Sequence, residues 1–149
     1  MMLSVITHTR FDRPDLLERC KESVAAALPE NAQHLVIDGN VAFSDFGKLR
    51  YDALACSEYI AFVDDDDTIH PDSLKLCYDA IRNNNVALAF TDEQIVDSEG
   101  KRICPMISGE RSYAGITSGV RHAHHLIIIK TDAIDARVLD LHNKYDAGL

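Results

Sequence analysis

The sequence predicts an α/β fold built on a mainly parallel sheet with helices on both faces. Short apolar runs rich in β-branched or aromatic residues recur along it: LSVIT, HLVID, YIAFV and VALAFT. Between them lie segments whose apolar residues recur at helical spacing. Strands buried on both faces read as continuous apolar runs and not as alternating ones, and that is the pattern here.

Leu3 to Thr7 opens the chain as a strand. In PDLLERCKESVAAAL, Leu16, Leu17, Cys20, Val24 and Leu28 share one helical face, Pro14 suits a first helical turn and Pro29 ends the segment. His34 to Asp38 reads as a second strand closed by Gly39-Asn40. Gly47 to Ser57 reads as a short helix leading into a third strand, Tyr59 to Val63. Pro71 opens a helix in which Leu74, Cys77, Tyr78 and Ile81 fall at i, i+3, i+4 and i+7, stopped by three asparagines. Val86 to Thr91 is a fourth strand. IVDSEGKRIC reads as a hairpin with Asp97-Ser98-Glu99-Gly100 as its turn, and Ser108 to Gly119 as a loop. His125 to Lys130 is the last strand, with a short helix from Thr131.

Composition bounds the function. A chain of 149 residues, 46% hydrophobic, is long enough for one domain spanning residues 1–149. Its net charge of -9 disfavours nucleic acid and anionic membrane surfaces, which select basic patches. Cys20, Cys56, Cys77 and Cys104 form no CxxC, and Cys20 and Cys77 fall on helical apolar stripes, as small buried hydrophobes do. No apolar run approaches the roughly 18 residues of a membrane span. The start MMLSVITHTR lacks the features of a signal peptide. A soluble, cytoplasmic protein is the expectation, with its oligomeric state open.

The chemistry concentrates in FVDDDDTIHPDSL, where four aspartates follow a strand. Adjacent carboxylates repel unless water or a cation screens them. Magnesium and manganese prefer such hard oxygen ligands and take one or two protein carboxylates where phosphates supply the rest. In an extended segment Asp64 and Asp66 would face the same side. The competing reading is structural, with Asp67-Thr68 capping the helix that opens at Pro71. Ligands in such sheets gather beyond the carboxyl ends of strands, where Thr7-His8-Thr9-Arg10, Asp38 and Asp64 to Asp67 all fall.

Together THTRFDRP, the aspartate of HLVIDG, SEYIAFVDDDD with Arg50 upstream, PDSLKLCYDAI and VALAFTD resemble the amino-terminal, nucleotide-sugar-binding part of a family-2-like glycosyltransferase of the GT-A fold. The resemblance covers the whole chain, and the D-x-D followed by a Pro-initiated helix is its specific part. It implies a three-layer α/β/α architecture and metal-dependent transfer of a sugar from a nucleotide-diphosphate sugar, UDP by family habit, to an unknown acceptor. Asp66 would be the principal ligand of Mn2+ or Mg2+, with Asp64 in the metal shell or on the ribose. Asp38 would meet the base, Thr9 with Arg10 or Phe11 would wall its pocket, and Arg50 would lie near the diphosphate. Thr7, His8 and Asp65 complete the implied nucleotide contacts. The family's turn has proline and tyrosine where this chain has His8 and Arg10, and an arginine plane can also stack on a base.

The family's catalytic base lies in a Glu-Asp-like motif beyond a phrase like GGYDESL. This chain reaches NKYDAGL at Asn143 to Leu149, so the acceptor portion is expected to be missing and Asp146 is the nearest carboxylate. In RHAHH, alternation sends His122 and His124 to one face and His125 to the other, making His124 a candidate extra metal ligand. Arg111 and Tyr113 could close over a sugar. Two rivals remain. One is a relic that binds a nucleotide sugar without turnover. The other is a haloacid-dehalogenase-like phosphatase with Asp64 as nucleophile and Asp66 as acid or base, although that motif normally occupies a domain's first strand.

Overall fold

The computed structural model describes residues 3–40, 57–106, 110–112, 121–123 and 126–134. Among these residues seven strands and two α-helices follow in the order β1 (Leu3–Thr9), α1 (Pro14–Ala27), β2 (Ala32–Asp38), β3 (Tyr59–Phe62), α2 (Ser73–Asn84), β4 (Leu88–Phe90), β5 (Glu110–Ser112), β6 (Arg121–Ala123) and β7 (Ile127–Lys130). A 3-10 turn, Thr131–Ala133, follows β7 where a short helix was expected.

The main sheet has the order β2-β1-β3-β7-β4. β1 lies parallel to both β2 and β3, with Leu3 opposite Ala32 and Tyr59. β7 runs antiparallel to both β3 and β4. The sheet is therefore mixed and only partly parallel, a correction to the sequence expectation: four strands share one direction and β7 is inserted against them. An apolar strand buried on both faces carries no mark of its direction, so IIIK reads identically either way.

One face is covered by both helices. Leu3 and Val5 of β1, Ala61 and Val63 around β3, and Ile128 of β7 pack with Cys20, Val24 and Ala27 of α1 and Leu74, Cys77 and Ile81 of α2. Both cysteines are thus buried apolar residues, as the helical spacing predicts, and burial pushes both thiols above their ordinary range. On the opposite face Ile6 and Ile60 are fully buried against Ile37, Phe62, Ile129 and Ile134. The helix expected over residues 47–57 lies outside the described residues.

The element ends follow local chemistry. Pro14 opens α1, where its missing N–H costs nothing. α2 begins at Ser73, two residues later than Pro71 suggested, because the His70 carbonyl accepts from both the Ser73 N–H (2.9 Å) and its hydroxyl (2.7 Å). Asp72 is its N-cap residue, so Asp67 and Thr68 do not cap it. At the other end Asn85 takes left-handed geometry (φ 49°, ψ 43°), a conformation asparagine tolerates well. The 95–103 hairpin forms as expected: Asp97 Oδ1 accepts from the Glu99 and Lys101 N–H groups, and Gly100 supplies the positive φ of 80° that the turn requires. Part of the expected 108–119 loop is instead strand, since Glu110–Ser112 pairs antiparallel with Arg121–Ala123.

The Ile128 side chain, fully buried at the point where the antiparallel strand meets both helices' core, is a test of this packing. Ile128→Ala is expected to cost about 2–5 kcal/mol, measured as a lowered urea midpoint with the slope unchanged.

Candidate functional site

The carboxyl ends of β1, β2 and β3 meet at one edge. There β1 turns into α1 through Arg10, Phe11, Asp12 and Arg13. Thr9 organises the turn: its hydroxyl accepts from the Phe11 N–H at 3.0 Å, and its carbonyl accepts from the Gly39 N–H at 2.7 Å. A Cβ at Gly39 would stand 3.3 Å from that carbonyl, so glycine lets β2 exit close against β1. Asn40 adds a second tie, donating from Nδ2 to the Arg10 carbonyl at 2.8 Å. Phe11 has a φ of 59°, uncommon for a bulky residue, and the residue is 53% exposed. Strain of this kind collects at functional turns.

At the end of β3 the aspartates form a turn, not the extended segment the alternation argument assumed. The Asp67 N–H donates to the Asp64 carbonyl at 3.1 Å, and β3 itself stops at Phe62. The turn still separates the side chains. Asp65 is buried, 5% exposed, whereas Asp64 and Asp66 are exposed and Asp67 is half-buried. Among the described residues Asp64, Asp66 and Asp67 each offer a carboxylate oxygen within 4.8 Å of the others.

Arg13 binds this cluster. Its Nη2 donates to Asp65 Oδ1 at 2.6 Å and its Nη1 to Asp66 Oδ2 at 2.5 Å. The hydrogen bond to Asp66, then the charges of Asp66, Asp65 and Asp12, hold the guanidinium above its ordinary pKa. Arg13 was not among the residues singled out from the sequence. A usable signal was there: a cation just before Pro14 sits at a helix N-terminus, where the helix dipole disfavours it and a nearby anion must compensate. Ser23 of α1 fixes the loop further on, accepting from the Ile69 N–H at 3.1 Å.

The other predicted residues fall in different places. Thr7 lies within β1, fully buried, its hydroxyl 3.0 Å from His34 Nε2 and 3.7 Å from Cys20 Sγ. His8, half-buried on the opposite face, lies near-parallel to Phe62 at 6.2 Å between ring centroids. Arg10 is exposed at the turn. Asp38 is exposed, and its Oδ1 accepts from the Asn40 N–H at 2.9 Å. Arg50, Tyr113, His124, His125 and Asp146 lie outside the described residues, and for Arg111 and His122 only the backbone is described.

No protein-family model and no curated protein matches the chain's sequence. Among solved structures, TarS from S. aureus (residues 1–349), a glycosyltransferase, aligns with a TM-score of 0.50 and 18% identity over 70% of this chain and 38% of that one. The 4-diphosphocytidyl-2C-methyl-D-erythritol synthase of Anaerococcus prevotii DSM 20548 aligns at 0.47 and 13% identity, over 99% of this chain and 77% of that one. The chain therefore spans well under half the length of TarS. Its architecture is an α/β fold with a mixed sheet, and the likeness to the TarS structure is one of fold. No described helix is long and apolar enough to cross a membrane.

Burial also sets a pH response. Desolvation, aided by the charge of Lys21, lowers the His34 pKa below its ordinary 6.5. The unfolded chain then binds more protons than the folded one just below that value, so His34 contributes stability that is complete above about pH 6.5 and lost as pH falls. Wild type is expected to lose thermal stability as pH falls below about 6.5. His34→Gln should flatten that part of the Tm-versus-pH profile.

Proposed function

We propose that this chain is the donor-binding part of a glycosyltransferase, holding a nucleotide-diphosphate sugar through a divalent cation at the carboxyl edge of its sheet. The observation that carries this reading is the convergence of three carboxylates, Asp64, Asp66 and Asp67, within 4.8 Å at the end of β3, beside the β1–α1 turn and Asp38. The transferase-type fold supports it.

The donor set suits a hard cation. Mg2+ and Mn2+ take hard oxygen ligands at roughly 2.1 Å, so oxygens sharing one ion lie no more than about 4.2 Å apart. The three carboxylate oxygens, within 4.8 Å of one another, lie close to that limit. Asp66 and Asp64, joined by Asp67, would hold the ion. A bound ion there would offset the negative charge that builds on a diphosphate leaving group.

The chain's own residues do the rest. Phe11, held outward by the Thr9 hydroxyl, presents an aromatic face to a base, with exposed Arg10 beside it. Asp38, oriented by the Asn40 N–H, offers its second oxygen to a base N–H. Thr7 and Asp65 are buried and serve this edge by positioning it, Thr7 within β1 and Asp65 through Arg13. UDP as the nucleotide, Arg50 near the diphosphate, His124 as a further ligand and Asp146 as a base belong to the same proposal. The acceptor is left open.

Titration of the chain with UDP in the presence and absence of Mn2+ is the test. UDP binding is expected to require Mn2+ and to weaken at least about tenfold in Asp66→Ala with the circular dichroism spectrum unchanged. Metal-independent UDP binding, or none, would sink the reading. Binding without release of sugar from UDP-sugars would mark a non-catalytic binding module, and phosphate release from simple monoesters a phosphatase.

A further inference from the structure

The contact between Arg13 and the aspartates carries a consequence for how the edge accepts a cation. Arg13 occupies two oxygens of the aspartate turn, one on buried Asp65 and one on Asp66 of the three-carboxylate cluster, at 2.6 and 2.5 Å. The Asp65 side chain is 6% exposed, while those of Asp66 and Arg13 are 43% and 46% exposed. The inner bond is thus shielded and the outer one is open to water. The guanidinium comes from the N-cap residue of α1, 52 residues before Asp65 in sequence, so it is an independent element leaning on the turn.

We infer that Arg13 is an internal counter-ion that stands in for the divalent cation: it holds the aspartate turn together when no metal is bound, and an arriving ion displaces it from Asp66 while its bond to Asp65 persists. The asymmetry of the two contacts supports this. Exposed ion pairs exchange readily and contribute little, whereas a buried carboxylate deprived of its partner is strongly disfavoured. Asp66 Oδ2 also already faces a cation, and a doubly charged ion competes for it at a disadvantage while a positive guanidinium remains within hydrogen-bond distance. Arg13 is in these terms a positioning residue that tunes cation affinity downward and stabilises the metal-free chain. The inference rests on the cation-site reading above.

Mn2+ affinity of the full 149-residue chain, read from the electron paramagnetic resonance signal of free Mn2+, tests it alongside thermal unfolding in EDTA and in Mn2+. Arg13→Gln is expected to bind Mn2+ about tenfold more tightly than wild type, from loss of a neighbouring positive charge. It should melt at a lower temperature in EDTA and gain more from added Mn2+ than wild type does. Arg13→Lys, which keeps the charge but not the forked geometry, should keep an affinity near wild type. If Arg13→Gln does not fold in EDTA, the comparison moves to Asp65→Asn with and without Arg13→Gln, where no buried charge is stranded; the double variant should again bind Mn2+ more tightly. Unchanged or weaker binding in a folded Arg13→Gln overturns the counter-ion role while leaving the metal site standing. Absence of Mn2+ binding in wild type and variants alike overturns both.

Discussion

The arrangement at the sheet's edge depends on one ion pair, that of Arg13 with the buried carboxylate of Asp65. A carboxylate withdrawn from water without a partner is severely disfavoured. Among the described residues, the guanidinium that reaches Asp65 from the β1–α1 connection supplies that partner inside the turn. That requirement propagates through both loops. The β1–α1 turn must deliver Arg13 to a fixed point, so Phe11 takes positive φ and the Thr9 hydroxyl secures it. The β3–α2 segment must keep Asp65 facing inward, so the Asp64 carbonyl closes the turn and Ser23 ties Ile69 to α1. Two loops distant in sequence behave as one structural unit.

What the sequence discloses and what it hides divide along physical lines. Periodicity reports burial, and the two amphipathic helices it predicts from Pro14 and near Pro71 are present among the described residues, with Cys20, Val24, Leu74, Cys77 and Ile81 in one core. The Asp97–Gly100 turn was legible because its carboxylate and glycine are chemically required by that geometry. Strand direction was not legible, for pairing polarity is set by connections and not by composition, and β7 accordingly runs against expectation. The 110–112 strand escaped notice because three residues, Glu-Arg-Ser, carry no apolar alternation.

At the candidate site the acidic quartet drew attention through charge alone, which cannot say which member faces inward. Alternation correctly set Asp65 apart from Asp64 and Asp66, yet it assumed an extended backbone where there is a turn. Thr7 lies within reach of the edge by position but belongs to a buried chain with His34 and Cys20. A strand one residue pair longer than its apolar run, Leu3–Thr9, accounts for the difference, because Thr7, His8 and Thr9 keep pairing with β2 up to Asp38. Polar residues in such a strand end are read as loop until the partner strand is known.

The charge balance at this edge constrains what can bind there. Four aspartates and Arg13 leave a net of three negative charges, which one divalent cation reduces to a single negative charge. A diphosphate approaching under the donor-binding reading adds at least two more, and like charges at contact distances oppose association strongly in a partly desolvated cleft. A further positive group is therefore required at the same edge. Once Asp66 is released by Arg13, the guanidinium still neutralises Asp65 and contributes little beyond it. Arg10, exposed three residues earlier on the same turn and anchored through its carbonyl to Asn40, would supply such a charge under that reading. The turn would in this way divide two arginines between two tasks: one compensates the protein's own buried anion, and the other is left for the anion of the ligand.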